Sequence, residues 1–148
     1  MKKINSHSRS GLFLMEMTLS LLVLSLTAAV CVRIFAAART CRQEAREWNH
    51  IQELTTSAGE ILEGTNGSPR SFLALLPDGT VTGNSISYYY DRQWNSCSVE
   101  EASYQMNVTL HTEAGQKQAD LQFLNHQGTP LYEQTIRFPF NDFGKGDH

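Results

Sequence analysis

The feature of this sequence that most constrains its fold is an apolar run over residues 12–32, which contains one charged side chain, Glu16. Because an α-helix rises about 1.5 Å per residue, roughly 20 apolar residues cross the hydrocarbon core of a bilayer, which is about 30 Å thick. The run therefore predicts a membrane-spanning helix.

Glu16 is the unusual residue of this segment. A carboxylate costs about 2.5–3.5 kcal/mol at the centre of a spanning helix, so ionisable groups in such helices commonly have a function. Glu16 lies near the start of the run, five positions after Gly11, and a short leader with Lys2, Lys3 and Arg9 precedes both. A basic leader, a glycine and an acid thus coincide at the beginning of one predicted span.

This combination resembles the N-terminal signature of type IV pilins and of the pseudopilins of type II secretion and DNA uptake. In that family a membrane peptidase cuts after the glycine and methylates the new N-terminus, and the glutamate helps to dock each subunit into a helical filament. The resemblance implies that Gly11 precedes the cleavage site, that Leu12 becomes the methylated first residue, and that Glu16 is the assembly carboxylate. It also implies three kinds of partner: prepilin peptidase, other pilin or pseudopilin subunits, and an assembly platform membrane protein.

The helical pattern continues beyond the span. Residues 12–58 contain neither Gly nor Pro. Beyond residue 32, apolar side chains recur at steps of three, four or seven, at Ile34, Ala38, Cys41, Ala45, Trp48, Ile51, Ala58 and Leu62. This stripe predicts an amphipathic helix, continuous with the span, that ends near Gly64, since Asn66, Gly67 and Pro69 follow as helix breakers.

Downstream of the breakers the apolar residues alternate with polar ones, which indicates strands. The alternation predicts three strands, over residues 104–110, 119–123 and 132–138, and a fourth over residues 85–90. Short connections around Gly115 and residues 128–130 favour an antiparallel meander. Residues 72–76 fit either a short helix or a strand.

These elements predict an α+β fold, in which a long N-terminal helix packs on a roughly four-stranded antiparallel sheet. The outer half of the helix offers the apolar stripe that such a sheet needs to cover its own apolar face. The pilin resemblance implies the same architecture. The predicted segments are the leader 1–11, the transmembrane half of the helix 12–32, its outer half 33–64, a β-rich globular part 65–140 and a tail 141–148.

Charge and cysteine content restrict the function classes. Loss of Lys2, Lys3 and Arg9 with the leader leaves 9 Lys and Arg residues against 15 Asp and Glu residues, a balance of −6. Phosphate binding depends on clustered Lys and Arg, so we expect no direct nucleic-acid binding. The three cysteines give no disulfide framework; Cys41 and Cys97 form a bridge or, as we favour, stay unpaired thiols.

Positive charge before the span favours a cytoplasmic leader. Four arginines follow the span, at Arg33, Arg39, Arg42 and Arg46, so placement of the C-terminal part outside depends on the pilin resemblance. The expectation is a single-pass protein of the bacterial inner or cytoplasmic membrane, with the assembled fibre outside the cytoplasm.

No motif of catalysis or metal binding is present, such as HExxH, GxSxG, a P-loop or GxGxxG. We therefore expect no enzymatic activity, no cofactor and no metal. Asp142, Asp147 and His148 could bind calcium, as a C-terminal loop does in some pseudopilins, but they lack the ligand density of a calcium loop. An aromatic group, Tyr88, Tyr89, Tyr90 and Trp94, fits core and cross-strand packing better than an exposed recognition patch.

A second interpretation is an exported domain with an ordinary signal sequence, cut after Ala36-Ala37-Ala38, or a single-span anchor that presents a binding domain. Residues 36–38 satisfy the small-x-small rule of signal peptidase sites. Against this interpretation, the apolar region is long and contains Glu16, and Arg33 and Ile34 separate it from the site. The mature N-terminus distinguishes the three cases, as Leu12, Arg39 or Met1.

Overall fold

The computed structural model describes residues 6–140, with side chains from residue 9 onward. The predicted tail and its calcium candidates, Asp142, Asp147 and His148, lie outside the described residues. The elements are helix α1 (Ser6–Gly64), helix α2 (Pro69–Leu75), a short 3-10 helix (Val99–Glu101) and strands β1 (Thr80–Thr82), β2 (Ser85–Tyr90), β3 (Tyr104–Glu113), β4 (Gln116–Asn125) and β5 (Pro130–Pro139).

The chain divides into two compact units, residues 1–47 and residues 48–148. The first unit contains the N-terminal part of α1. The second contains the last turns of α1, helix α2 and the sheet, so the packing of helix on sheet belongs entirely to this unit. The predicted α+β fold, with a long N-terminal helix on an antiparallel sheet, is confirmed.

The sheet is an antiparallel meander with the strand order β1-β2-β3-β4-β5. The β3–β4 hairpin ends in a two-residue turn at Ala114 and Gly115, whose φ angles are 47° and 79°. Positive φ at both positions is the mark of a type I′ turn, which matches the right-handed twist of the strands it joins. The predicted connection at Gly115 is therefore confirmed.

The sheet has five strands where the sequence predicts about four. The additional strand, β1, is three residues long, fully exposed, and pairs with β2 from Thr80↔Ser87 to Thr82↔Ser85. It precedes the turn at Gly83, and its three exposed residues, of which only Val81 is apolar, are too few to show an alternating pattern.

Residues 72–76, which the sequence left open between helix and strand, fall mostly in helix α2. Ser68 is the N-cap of this helix, and its Oγ accepts a hydrogen bond from the Ser71 N–H at 3.3 Å. Pro69 takes the first helical position, where its missing N–H has no intrahelical partner to lose. Both signals favour a helix start.

The core lies between the last turns of α1 and the inner face of the sheet. Helix residues Ile51, Ala58 and Leu62 are buried, which confirms this part of the predicted stripe. The sheet contributes a matching set at alternate positions, namely Ile86, Tyr88, Met106, Val108, Leu110, Ala119, Leu121 and Phe123.

One buried cation fastens the end of α1 to the sheet. Lys117 of β4 is 5% exposed, and its Nζ donates hydrogen bonds to the carbonyl oxygens of Glu63 at 3.0 Å and Thr65 at 2.6 Å. The last carbonyls of a helix lack intrahelical partners and carry partial negative charge. Lys117 therefore caps α1 from the sheet.

The aromatic residues pack as predicted. Tyr88 and Tyr90 are buried, and the Tyr88 hydroxyl donates to the carbonyl oxygen of Leu76 at 2.9 Å. Trp94 stacks on Tyr104 with ring centroids 4.3 Å apart, and on His50 at 5.4 Å. Because the half-buried indole stacks on two neighbouring rings, Trp94 contributes to the packing of the domain.

Candidate functional site

The candidate site is the N-terminal part of α1, where the structure places Gly11, Leu12 and Glu16 in one continuous helix. Leu12 and Glu16 are four residues apart, so they lie one above the other on the same helix face. A side chain at Gly11 would meet no atom within 4 Å, so the glycine is not required by packing inside the chain.

Glu16 lies on an exposed surface of the helix that Arg9, Leu12, Phe13, Met15 and Leu19 also form. Within residues 9–140, the carboxylate of Glu16 takes part in no ion pair. The presence of Arg9 on this face was not part of the sequence prediction. Its spacing of seven residues from Glu16, two helical turns, is the signal that could have shown it.

Three hydroxyl groups of the apolar segment are satisfied inside the helix. Thr18 Oγ1 donates to the carbonyl oxygen of Leu14 at 2.7 Å, and Ser25 Oγ donates to that of Leu21 at 2.9 Å. Thr27 Oγ1 donates to the carbonyl oxygen of Leu24, three residues earlier, at 2.8 Å. Hydrocarbon offers no partner to a polar group, so such back-bonded hydroxyls suit a lipid environment.

The apolar side chains of this segment are exposed along its whole length, with Leu12 at 66% and Met15 at 74%. In the part of the chain that the structure describes, α1 is the one helix long and apolar enough to cross a membrane. A helix of this kind near the N-terminus is consistent with a membrane anchor or a signal sequence. Either way, lipid or protein must cover this surface, because monomeric soluble proteins rarely expose apolar patches of this size.

No protein-family model, curated protein or solved structure matches the chain.

The functional assignment therefore depends on the chain's own residues. A long apolar N-terminal helix whose last turns pack on an antiparallel meander gives the chain a pilin-like topology. That topology alone does not define a site, and fold without a site does not define a function. The residues that the sequence predicts as a site, Gly11 and Glu16, lie in the same apolar helix.

The outer face of the sheet is the other polar surface large enough to consider. It forms an open groove of about 650 Å³, lined mainly by hydroxyl, amide and carboxylate side chains. Asp120 is the centre of this surface: it accepts hydrogen bonds from Thr135 Oγ1 at 2.7 Å and Gln118 Nε2 at 3.1 Å, and His111 Nε2 lies 3.3 Å from its Oδ2. These side chains satisfy one another across the strands.

Metal-ligating chemistry is absent from residues 9–140, where no three His, Cys, Asp or Glu side chains converge. The three cysteines are unpaired; Cys31 and Cys41 are exposed and Cys97 is half-buried. Asp91 has a pKa lowered chiefly by the Asn95 backbone N–H, which donates to its carboxylate together with the Gln93 N–H. Asp91 therefore stabilises the turn that its own side chain forms with Gln93 and Asn95.

Proposed function

We propose that this chain is a pilin-like subunit, a minor pilin or pseudopilin, of a type IV pilus, a type II secretion fibre or a DNA-uptake fibre. The observation that favours the proposal is the coincidence of Gly11 and Glu16 at the start of the apolar helix, in a chain of pilin-like topology. The function is mechanical: the subunit waits in the membrane and then joins a fibre that moves.

Processing would begin at the bond between Gly11 and Leu12. This bond lies within α1, and Gly costs about 1 kcal/mol relative to Ala in a helix interior, so Gly11 weakens the helix at this bond. Local unwinding at Gly11 would expose an extended segment to prepilin peptidase.

Cleavage would also change the charge around Glu16. It removes Arg9, which shares the exposed surface of Glu16, and creates an amine on Leu12. A carboxylate surrounded by lipid requires a cation, since an unpaired charge in an apolar medium is costly. The methylated amine of Leu12 on a neighbouring subunit would supply it, so that Glu16 selects the register between subunits.

The outer domain does not favour a nucleic-acid partner. Between residues 48 and 140 the only Lys and Arg residues are Arg70, Arg92, Lys117 and Arg137, and Lys117 is buried as the cap of α1. Phosphate contacts require several exposed cations. The partners of this proposal are accordingly proteins and the membrane, namely prepilin peptidase, an assembly platform protein and other pilin-like subunits.

The mature N-terminus tests the proposal. We expect mass spectrometry of protein co-expressed with a prepilin peptidase to find a chain that begins at methylated Leu12, and expect Gly11→Val to keep the leader. A chain that starts at Arg39 would instead identify an exported domain with an ordinary signal sequence. A functional chain that keeps Met1 to Gly11 would identify a membrane-anchored binding domain.

A further inference from the structure

Strand β5 forms one edge of the sheet, and within the described residues it pairs with β4 alone. It is ten residues long, whereas β1 at the opposite edge has three. The free side of an edge strand carries unpaired N–H and C=O groups, which are a template for another strand.

The pairing with β4 determines which β5 residues face the free side. The Phe140 N–H donates to the carbonyl oxygen of Gly115 at 2.7 Å, so Phe140 occupies a hydrogen-bonded position of the ladder. Such positions alternate in antiparallel sheets. Glu133, Thr135 and Arg137 therefore direct their N–H and C=O groups away from β4.

Both ends of this free edge are closed. Pro139 has no N–H to donate. At the other end the register jumps from Phe123↔Tyr132 to Leu124↔Pro130, so the chain bulges at Leu131. The regular part of the edge is thus residues 133–137, and its midpoint is Thr135.

We propose that β5 pairs with β5 of a second copy of this chain, as antiparallel strands about a two-fold axis at Thr135. In this register Thr135 faces its own copy, and Glu133 faces Arg137 in both directions. Each of these pairs exchanges two main-chain hydrogen bonds, so the contact contains about six.

Charge complementarity favours this occupant and this register. Glu133 Oε1 accepts a hydrogen bond from Gln122 Nε2 at 2.7 Å, and Arg137 Nε donates to Gln118 Oε1 at 3.0 Å, so both side chains are held over the outer face of the sheet. Opposite charges directly across antiparallel strands attract, and like charges repel. A shift by two residues would place Glu133 opposite Thr135 and lose both charge pairs.

The inner face agrees with the same register. Tyr132 would face Phe138 of the second copy, and both side chains are half-buried at the edge of the core. Aromatic pairs across strands are favourable. In many sheets, prolines and bulges prevent edge pairing. Here they limit the free edge to residues 133–137, which can pair with the same residues of a second copy.

Symmetry defines which copies can meet. A two-fold axis between antiparallel strands runs perpendicular to the sheet, and the helix over residues 48–64 lies along the sheet, so these helices run in opposite directions in the two copies. The contact therefore joins two copies whose helices over residues 48–64 point in opposite directions. The pairing does not depend on the proposed processing of the N-terminus.

Cross-linking of the full-length chain in detergent tests the register, in a background where Cys31, Cys41 and Cys97 are serine. With a thiol cross-linker that reaches about 6 Å, Thr135→Cys should give dimers, because directly opposed Cβ atoms lie about 5 Å apart. Glu133→Cys and Arg137→Cys should each give no cross-linked dimer, since each residue lies about 13 Å from its own copy. A mixture of these last two variants should cross-link.

Reversal of the charges at Glu133 and Arg137 provides the second test of the proposed dimer. Glu133→Arg should weaken dimerisation about tenfold, because it places arginine opposite arginine twice, and Glu133→Arg with Arg137→Glu should restore it. Absence of the Thr135→Cys dimer, equal cross-linking of Glu133→Cys, or no rescue by the double exchange would each overturn the proposal. Cross-linking of Thr135→Cys only to a different protein, or loss of the free edge to residues 141–148 of the same chain, would overturn it as well.

Discussion

Lys117 joins two elements through a single side chain. Its Nζ satisfies the carbonyl oxygens of Glu63 and Thr65, while its ammonium group lies 5.9 Å from the centre of the Phe140 ring. A buried lysine is normally costly, and here hydrogen bonds to helix-terminal carbonyls offset that cost. The residue thus stabilises the boundary between helix and sheet.

Replacement of Lys117 by Met keeps most of the side-chain volume and removes the cap. We expect Lys117→Met to lower the free energy of unfolding by about 1–3 kcal/mol, because two carbonyl groups lose a charged donor. Urea unfolding of the detergent-solubilised protein measures this. Arg70→Met, on an exposed position, is the matched control and should change stability by less than about 0.5 kcal/mol. Equal stability of the two variants would contradict the capping role.

Buried tyrosines make the fold sensitive to high pH. Burial, more than the nearby Asp78 carboxylate, raises the pKa of Tyr90 to about 12, and burial likewise raises the pKa of Tyr88. The unfolded chain ionises near pH 10 while the folded chain does not, so the unfolded state binds fewer protons above that pH and stability falls.

We therefore expect stability that is level between pH 7 and about pH 9 and declines from about pH 10 upward. Thermal unfolding from pH 7 to 11.5 measures the decline. Tyr90→Phe should reduce its slope, whereas Tyr89→Phe, on the outer face, should not. An identical slope in both variants would exclude Tyr90 as a cause.

Two glycines illustrate how an element tolerates a side chain. Gly59 lies inside α1, and a methyl group there would contact Ile136 Cδ1 at 3.8 Å, an ordinary packing distance. Gly79 precedes β1, and a methyl group there would lie 2.5 Å from Ile86 Cγ2 and 2.8 Å from the Tyr88 ring. The helix has room for the added atom, and the turn before β1 has none.

Gly59→Ala should accordingly stabilise the protein by about 0.5–1 kcal/mol, since Ala loses less backbone entropy in a helix. Gly79→Ala should destabilise it by about 1–3 kcal/mol through displacement of core side chains. The same substitution at two sites then has opposite signs in one unfolding assay. Stabilisation at both positions would mean that the turn before β1 rearranges freely.

At the scale of elements, periodicity was a good guide wherever one face of an element is buried. Strand β2 has its predicted bounds, β3 begins at its predicted first residue and extends beyond its predicted end, and β4 and β5 extend their predicted strands at both ends. Strand β1 was not predicted because it is short and has no buried face to impose alternation. The bulge at Leu131 was not predicted because it depends on pairing with β4, which local composition does not encode.

The burial of Lys117 could have been anticipated from its position in the alternating pattern of β4. It belongs to the same alternating set as Ala119, Leu121 and Phe123, so a strand begun two residues earlier places a lysine on the apolar face. A charge on the buried face of a strand requires a hydrogen-bonding partner, because an unpaired buried charge is costly. Its partners, the carbonyls at the end of α1, come from a remote part of the chain, and sequence alone could not identify them.

At the scale of the whole molecule, Glu16 is the residue whose change should abolish assembly and spare insertion. Glu16→Leu makes the helix more apolar, so the protein should still enter the membrane. It should fail to enter fibres, because the proposed pair with the amine of Leu12 is lost. Fractionation into membrane and sheared fibre pools measures both.

Glu44→Leu is the control for Glu16→Leu, since it changes the same residue type on α1 beyond the predicted span. We expect it to reach the fibre pool. Normal incorporation of Glu16→Leu would remove this carboxylate from the assembly mechanism, whatever the mature N-terminus is.

The burial of Lys117 has a practical consequence for proteolysis. Trypsin cuts after Lys and Arg in segments that can leave the fold, and Lys117 lies in β4, which is paired on both sides by β3 and β5. Cleavage there requires the sheet to open, whereas Arg70 and Arg92 are exposed. The rate at which trypsin cuts the Lys117–Gln118 bond in the detergent-solubilised protein therefore reports global opening of the domain.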